Sequence, residues 1–274
     1  MKKKILIIIV FVGLLLAGLL IPNQTYKKLF SNKDEVKYID SCFVYLLNEK
    51  EELVGVTVPL TEEVTDEFMT TWNLLTVDVP SNYHSPIYFS TQVINYEING
   101  DEMLLNVSED LLLNTSRKTL ECLVYNFCVK DVSKINLQIN NENINEFDGI
   151  HFDYLSKSLG VNLTFEDSDV LNTVHLTMIY DYKDYIKPVT YFIDKETEVI
   201  TYMVMKSLLM SEELSVFDVE NIVTYDVSDN ILNINVSSYD SFNEQVLNTI
   251  AASFSYQYDF SQILVNGLEL VLTD

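Results

Sequence analysis

NGDEMLLNVSEDLLL, residues 99–113, alternates apolar and polar side chains after an Asn-Gly pair and closes on Asn-Val-Ser. The same shape returns as SDNILNINVSSYDSF, residues 228–242. Alternation after a short polar turn is the pattern of a hairpin, because successive side chains of a strand point to opposite faces. Two hairpins with one ending raise the question of whether a single unit is used twice.

Working outward from the first copy, residues 42–47 (CFVYLL) and 53–58 (LVGVTV) read as strands joined by NEKEE. Residues 61–75 read as a helix capped by Thr61, with acids in its first turn and Val64, Phe68, Trp72 and Leu75 on one face. The hairpin of residues 92–98 and 102–107 turns around Asn99-Gly100. A helix over 114–127 turns Leu120, Leu123, Val124 and Phe127 inward, and a strand returns over 134–139. The second copy runs in the same order. Strands 174–180 and 187–193 flank DYKDY, Asp194 caps a helix to residue 210, and strands 221–225 and 231–236 turn around Ser228-Asp229-Asn230. Ser241 and Glu244, at capping-box spacing, open a helix that buries Val246, Ile250 and Phe254. Strands 261–265 and 268–272 close around Asn266-Gly267. Matching landmarks keep a near-constant offset: 129 from Val107-Ser108 to Val236-Ser237, 128 from Asp131 to Asp259, and 133 at the early strands. Loop insertions account for so small a drift, and a duplication explains the repeated order.

The chain of 274 residues has 48% apolar and 12% aromatic residues, ample for buried cores. It carries 41 acids against 17 bases. A surface so acidic repels nucleic acid and anionic lipid, so a nucleic-acid partner is excluded. Lys2, Lys3 and Lys4 precede ILIIIVFVGLLLAGLLI, residues 5–21, an uncharged run that opens on Ile5 and closes on Ile21. At helical rise it spans about 25 Å, the thickness of a bilayer core. Lysines before it predict a cytoplasmic N-terminus with the rest of the chain outside the cell membrane. Ala17-Gly18-Leu19-Leu20-Ile21 is a poor cleavage site, so residues 1–26 read as a retained anchor rather than a removed signal. The expected divisions are a membrane anchor or signal sequence at 1–26, a tether at 27–39, domains at 40–150 and 173–274, and a linker at 151–172. Cys42, Cys122 and Cys128 are odd in number. The last two, about 240° apart on one helix, cannot bridge and read as core residues.

In the first copy, VYL at 44–46, a helix, INGDEMLLNVSEDLL, a helix and VSKINLQINNENI together resemble the GerM domain, the sporulation and spore germination module of endospore-forming bacteria. The likeness covers most of residues 40–145 and returns more weakly over 172–274. Two departures stand out: Asn140-Asn141-Glu142 replaces the usual glycine turn, and the helix is poorer in alanine. The resemblance implies an α+β fold of two tandem ring-building-motif-like two-layer sandwiches, with helices on one face of a small sheet. It also implies a non-catalytic assembly role, with protein partners in a membrane-associated complex between mother cell and forespore.

Enzymatic readings find little support in the residues. His84, His151 and His175 are the only histidines, and only His151 with Asp153 has a ligand-like spacing. No GxSxG, HExxH, phosphate loop or CxxC is present, so no catalytic, cofactor or metal residues are assigned. Glu62-Glu63, the run Glu166-Asp167-Ser168-Asp169 and Glu212-Glu213 are the acidic candidates for a glycosidase or calcium site. The Glu166 run lacks the glycine and distal glutamate of a calcium loop and reads as solvated linker. Tyr180, Tyr182, Tyr185 and Tyr191 offer a sugar platform, against the plainer reading of alternating strands with wet hydroxyls. The alternatives to an assembly protein are thus a cell-wall or carbohydrate-binding module and, behind it, a cell-wall hydrolase.

Overall fold

The computed structural model describes residues 41–60, 64, 66–166, 170–210, 223–237 and 243–272. The apolar run at 5–21, the tether, Thr61, Glu62, Glu63, Asp167, Ser168, Asp169, Glu212, Glu213 and Ser241 lie outside these. No helix among the described residues is long and apolar enough to cross a membrane.

In the first half, β1 (Ser41–Leu47) and β2 (Leu53–Pro59) pair antiparallel, followed by α1 (Glu67–Thr76). Its cap is Asp66, whose carboxylate accepts from Met69 N at 3.0 Å, five residues beyond the expected Thr61. Strands β3 (Val93–Asn99) and β4 (Glu102–Val107) form the quoted hairpin. Its central residues are Gly100-Asp101, one position later than the Asn-Gly pair suggested, with Gly100 at φ +64°. That shift leaves the Asp101 carbonyl free to accept from Ser133 N at 2.8 Å. A 3-10 turn (Glu109–Asn114) leads into α2 (Arg117–Phe127), capped by Ser116, which therefore begins later than residue 114. β5 (Lys134–Ile139) returns parallel to β4. Asn140 and Asn141 at φ +50° and +69° then turn it back into β6 (Glu142–Asn143). Asparagine tolerates the left-handed region, so the missing glycine costs the turn little.

Short strands β7 (Glu146–Phe147) and β8 (Ile150–His151) lead into the stretch read as linker, which holds β9 (Leu155–Ser156) and β10 (Thr164–Phe165). It is woven into both halves: β9 pairs with β5, and β10 pairs with β12. The second half repeats the order with β11 (Thr173–Asp181), β12 (Ile186–Asp194), α3 (Val199–Leu208), β13 (Val223–Ser228), β14 (Ile231–Val236), α4 (Glu244–Gln257), β15 (Gln262–Val265) and β16 (Leu268–Glu269). Asp194 does not cap α3. It is held in β12 opposite Thr173 and accepts from Glu196 N at 2.7 Å, while Glu198 caps the helix through Thr201 N. Asn243 caps α4. The duplication is visible in bonds as well as order, since Ser261 N meets the Asn230 carbonyl as Ser133 N meets Asp101.

The expected single sheet per half is replaced by a division of strands. β3-β4-β5-β6 with β9, and β13-β14-β15-β16, are separate sheets, whereas β1-β2 and β11-β12 join in one shared sheet, β2 meeting β12 at Gly55 and Ile186. Each half keeps its own core, around Leu46, Trp72, Leu105 and Leu123 in one and Met178, Val204, Ile234 and Phe254 in the other. Helix α2 is buried from Thr119 through Phe127, beyond the single face expected, because strands of two sheets pack on it.

Two devices close the shared sheet. Asn162 lies between β2 and β12, where its amide nitrogen donates to the carbonyls of Leu53 (2.8 Å) and Pro188 (2.7 Å) and its oxygen accepts from Leu53 N (2.9 Å). The outer edges are met by helix side chains. Asn126 of α2 bonds both the N–H (2.9 Å) and the C=O (3.0 Å) of Tyr45 on β1. On β11, Ser253 of α4 serves Ile179 in the same way, and Thr249 accepts from Asp181 N. The partner one turn earlier on α2 is Cys122, whose thiol reaches the Tyr45 carbonyl.

Replacing any of these side chains strands buried peptide groups, a loss of roughly 1–3 kcal/mol per site. Asn126→Ala and Ser253→Ala should lower urea-unfolding stability by similar amounts. Asn162→Ala should cost about 2–4 kcal/mol, because it removes several bonds and a residue suited to φ +45°. A change in the denaturation midpoint too small to resolve in Asn162→Ala would contradict its bridging role.

Candidate functional site

One face of the shared sheet forms the floor of a cleft of about 1050 Å³. Phe43, Tyr45, Ile186, Thr190, Thr177 and His175 rise from it, and α4 and the segment around Lys157 form its walls. Phe43 and Ile186 meet over Gly55, where an added Cβ would lie 2.4 Å from Phe43 Cζ and 2.9 Å from Ile186 Cγ1. The absence of a side chain there lets the two hairpins join.

Helices covering opposite edges of this sheet touch through tyrosines. The hydroxyls of Tyr125 on α2 and Tyr256 on α4 are 3.1 Å apart, and Tyr125 packs edge-on against Tyr45 with ring centroids 5.3 Å apart. The Lys157 ammonium lies 5.1 Å from the Tyr256 ring centre. Burial pushes the pKa values of Tyr45, Tyr125 and Tyr256 above the ordinary tyrosine value and lowers that of Lys157. Behind the cleft, the carboxylate of Glu121, 1% exposed, is held by Arg117 (3.0 Å) and Lys118 (2.9 Å). Arg117 also donates to the Leu159 carbonyl and Lys118 to Asn162, which locks α2 onto the connecting segment.

The opposite face carries the tyrosines singled out in the sequence. Tyr180 and Tyr191 are buried rather than wet: their hydroxyls bond one another at 2.7 Å, and burial raises the pKa of both. Tyr182 and Tyr185 stack at 5.0 Å beside them. Lys187 lies over Tyr182 and pairs with Glu52 at 3.3 Å, in a pocket of about 340 Å³.

The histidines stay apart. His84 pairs with Glu51 at 3.0 Å, His151 with Glu146 at 3.5 Å, and His175 packs on Phe192 at 4.2 Å. The partner of His151 is thus Glu146 and not Asp153. Glu166, the described member of its acidic run, pairs with Lys206 at 2.5 Å. No group of three metal-ligating side chains converges among the described residues. The three thiols are unpaired, and burial pushes Cys122 up to about 12 and Cys128 to about 11. The reading of the sequence missed Asn162 and the edge-bonding residues of α2 and α4. Polar pairs four apart on apolar helix faces, Cys122 with Asn126 and Thr249 with Ser253, were their visible signal.

These features define a tandem α/β repeat in which two copies share a sheet. The arrangement is that of tandem GerM-like domains: the chain is similar to the tandem GerMN domains of the sporulation protein GerM from Bacillus subtilis, with a TM-score of 0.67 at 19% identity over 82% of this chain and 90% of that one. At that identity the likeness is one of fold. The first GerMN domain of the same protein aligns over 43% of this chain and 98% of that one at 16% identity, with a TM-score of 0.39. A putative lipoprotein from Clostridium perfringens aligns over 43% of this chain and 87% of that one at 14% identity, with a TM-score of 0.30. No protein-family model and no curated protein matches the sequence.

Because the folded state holds its buried thiols and tyrosines protonated, stability should begin to fall as pH rises above the ordinary thiol value of about 8.5 and fall more steeply above the ordinary tyrosine value of about 10. Ultraviolet difference absorbance should show ionisation of the buried tyrosines only together with unfolding. Full titration of all tyrosines near pH 10 in a folded protein would contradict this.

Proposed function

We propose that this protein acts without catalysis, as a membrane-anchored extracytoplasmic assembly protein in sporulation. The observation that carries the reading is the likeness of its tandem fold to that of a sporulation protein over most of both chains. The chemistry of the described residues supports it, since the histidines are dispersed and two of the three thiols are buried with raised pKa values. In this reading residues 5–21 hold the chain in the cell membrane with its N-terminus cytoplasmic, and the paired domains meet protein partners on the outer side. The stacked Tyr182 and Tyr185, beside Lys187 and Glu52, favour a second reading, a carbohydrate-binding module of the cell wall.

Crosslinking in living cells with the full-length protein as bait, followed by mass spectrometry in growth and in sporulation, separates the two. Recovery of membrane proteins in sporulating cells alone is the expected result. Recovery of wall polymer without a protein partner in either state would overturn the assembly role in favour of the second reading.

A further inference from the structure

The chain treats its sheet edges unequally. The outer edges of the shared sheet are closed by Asn126, Thr249 and Ser253, and β3 carries a register irregularity between Val93 and Asn95 that interrupts its ladder with β4. β13 has none of these protections among the described residues. It pairs with β14 on one side in unbroken register, and all its residues after Val223 are exposed. It also has none of the lysines, prolines or bulges that guard exposed edges in other proteins.

The ladder fixes which groups are open. On β14 the Ile234 carbonyl and both backbone groups of Val236 bond toward Asn266, on the β15 side. Alternate residues Ile231, Asn233 and Asn235 therefore serve β13 through Ser228, Asp226 and Thr224. The N–H and C=O groups of Val223, Tyr225 and Val227 point outward. Side chains divide in the same rhythm. Val227 and Tyr225 stand opposite the core residues Leu232 and Ile234 and remain 46% and 37% exposed, the Tyr225 hydroxyl donating to Glu198 at the start of α3 at 2.8 Å. Asp226 stands opposite Asn233 on the other face. From residue 207 to the C-terminus the sequence contains 11 acidic residues and no lysine, arginine or histidine.

We propose that β13 accepts an added strand from a partner protein whose residues alternate apolar and cationic side chains. The apolar residues would extend the core face beside Tyr225 and Val227, and the lysines or arginines would lie beside Asp226, with Asp229 in the adjoining turn. This deepens the assembly reading by giving the partner's chemistry, and it rests on that reading for its occupant in the cell.

The test titrates the full-length protein with two labelled synthetic peptides of strand length, one alternating Val and Lys and one alternating Val and Glu, read by fluorescence anisotropy. Saturable binding of the Val-Lys peptide alone is expected, weakening as salt rises. Val227→Pro removes an outward N–H while leaving the bonds to β14 in place, and should weaken binding about tenfold, as loss of a backbone hydrogen bond does. Asp226→Lys should weaken it several-fold. In the unsubstituted protein, amide exchange at Val223, Tyr225 and Val227 should slow when the Val-Lys peptide is added, a readout that does not depend on any variant folding. Equal binding of both peptides, no saturable binding, or unchanged exchange at those amides would overturn the proposal. Because the peptides are read on purified protein, that failure is separate from the outcome of crosslinking in cells.

Discussion

The second edge of β12 is the constraint on which the tandem depends. A nine-residue strand in the middle of a sheet must have its peptide groups met along both sides, and β11 supplies only one. The other side is met in succession by Gly55 of β2, by the Asn162 amide, by Val161 through Thr190, and by β10. Asn162 stands in for a strand residue where no strand reaches. Its left-handed backbone and four side-chain bonds, to Leu53, Pro188 and Lys118, tie the connecting segment to both halves at once.

Around that seam the two copies reuse one solution to a common difficulty. An edge strand packed under a helix loses water on its outer side, and its peptide groups then need protein partners. Here the helix supplies them from short polar side chains one turn apart, an asparagine and a thiol in one copy and two hydroxyls in the other. The identities differ while the positions agree, as expected where the geometry of the pair is what matters.

Much of this was legible in the chain. Period-two runs placed most of the strands within a residue or two, and buried positions such as Phe68, Trp72, Val246, Ile250 and Phe254 followed from helical spacing. Helix starts were less legible, because Asp194 and Asp66 both look like caps and tertiary pairing decides between them and their neighbours. The joining of the two hairpins into one sheet was not visible at all. It rests on a single glycine contact and on an asparagine in a stretch whose composition reads as linker, and neither has a periodic signature. The tyrosines misled for a related reason: alternation shows that Tyr180 and Tyr191 share a face but not that their hydroxyls satisfy one another inside the core.

The shared sheet also has a mechanical meaning. β1 begins at Ser41 and is paired with β2 at seven successive positions. A pull arriving at that end runs along β1 and loads those bonds in shear, the direction in which a ladder of peptide hydrogen bonds yields all together rather than one by one. From β2 the load crosses the Gly55–Ile186 pair and the Asn162 bridge into β12 of the second half. Tension on the N-terminal side is thereby passed through the seam from one half to the other.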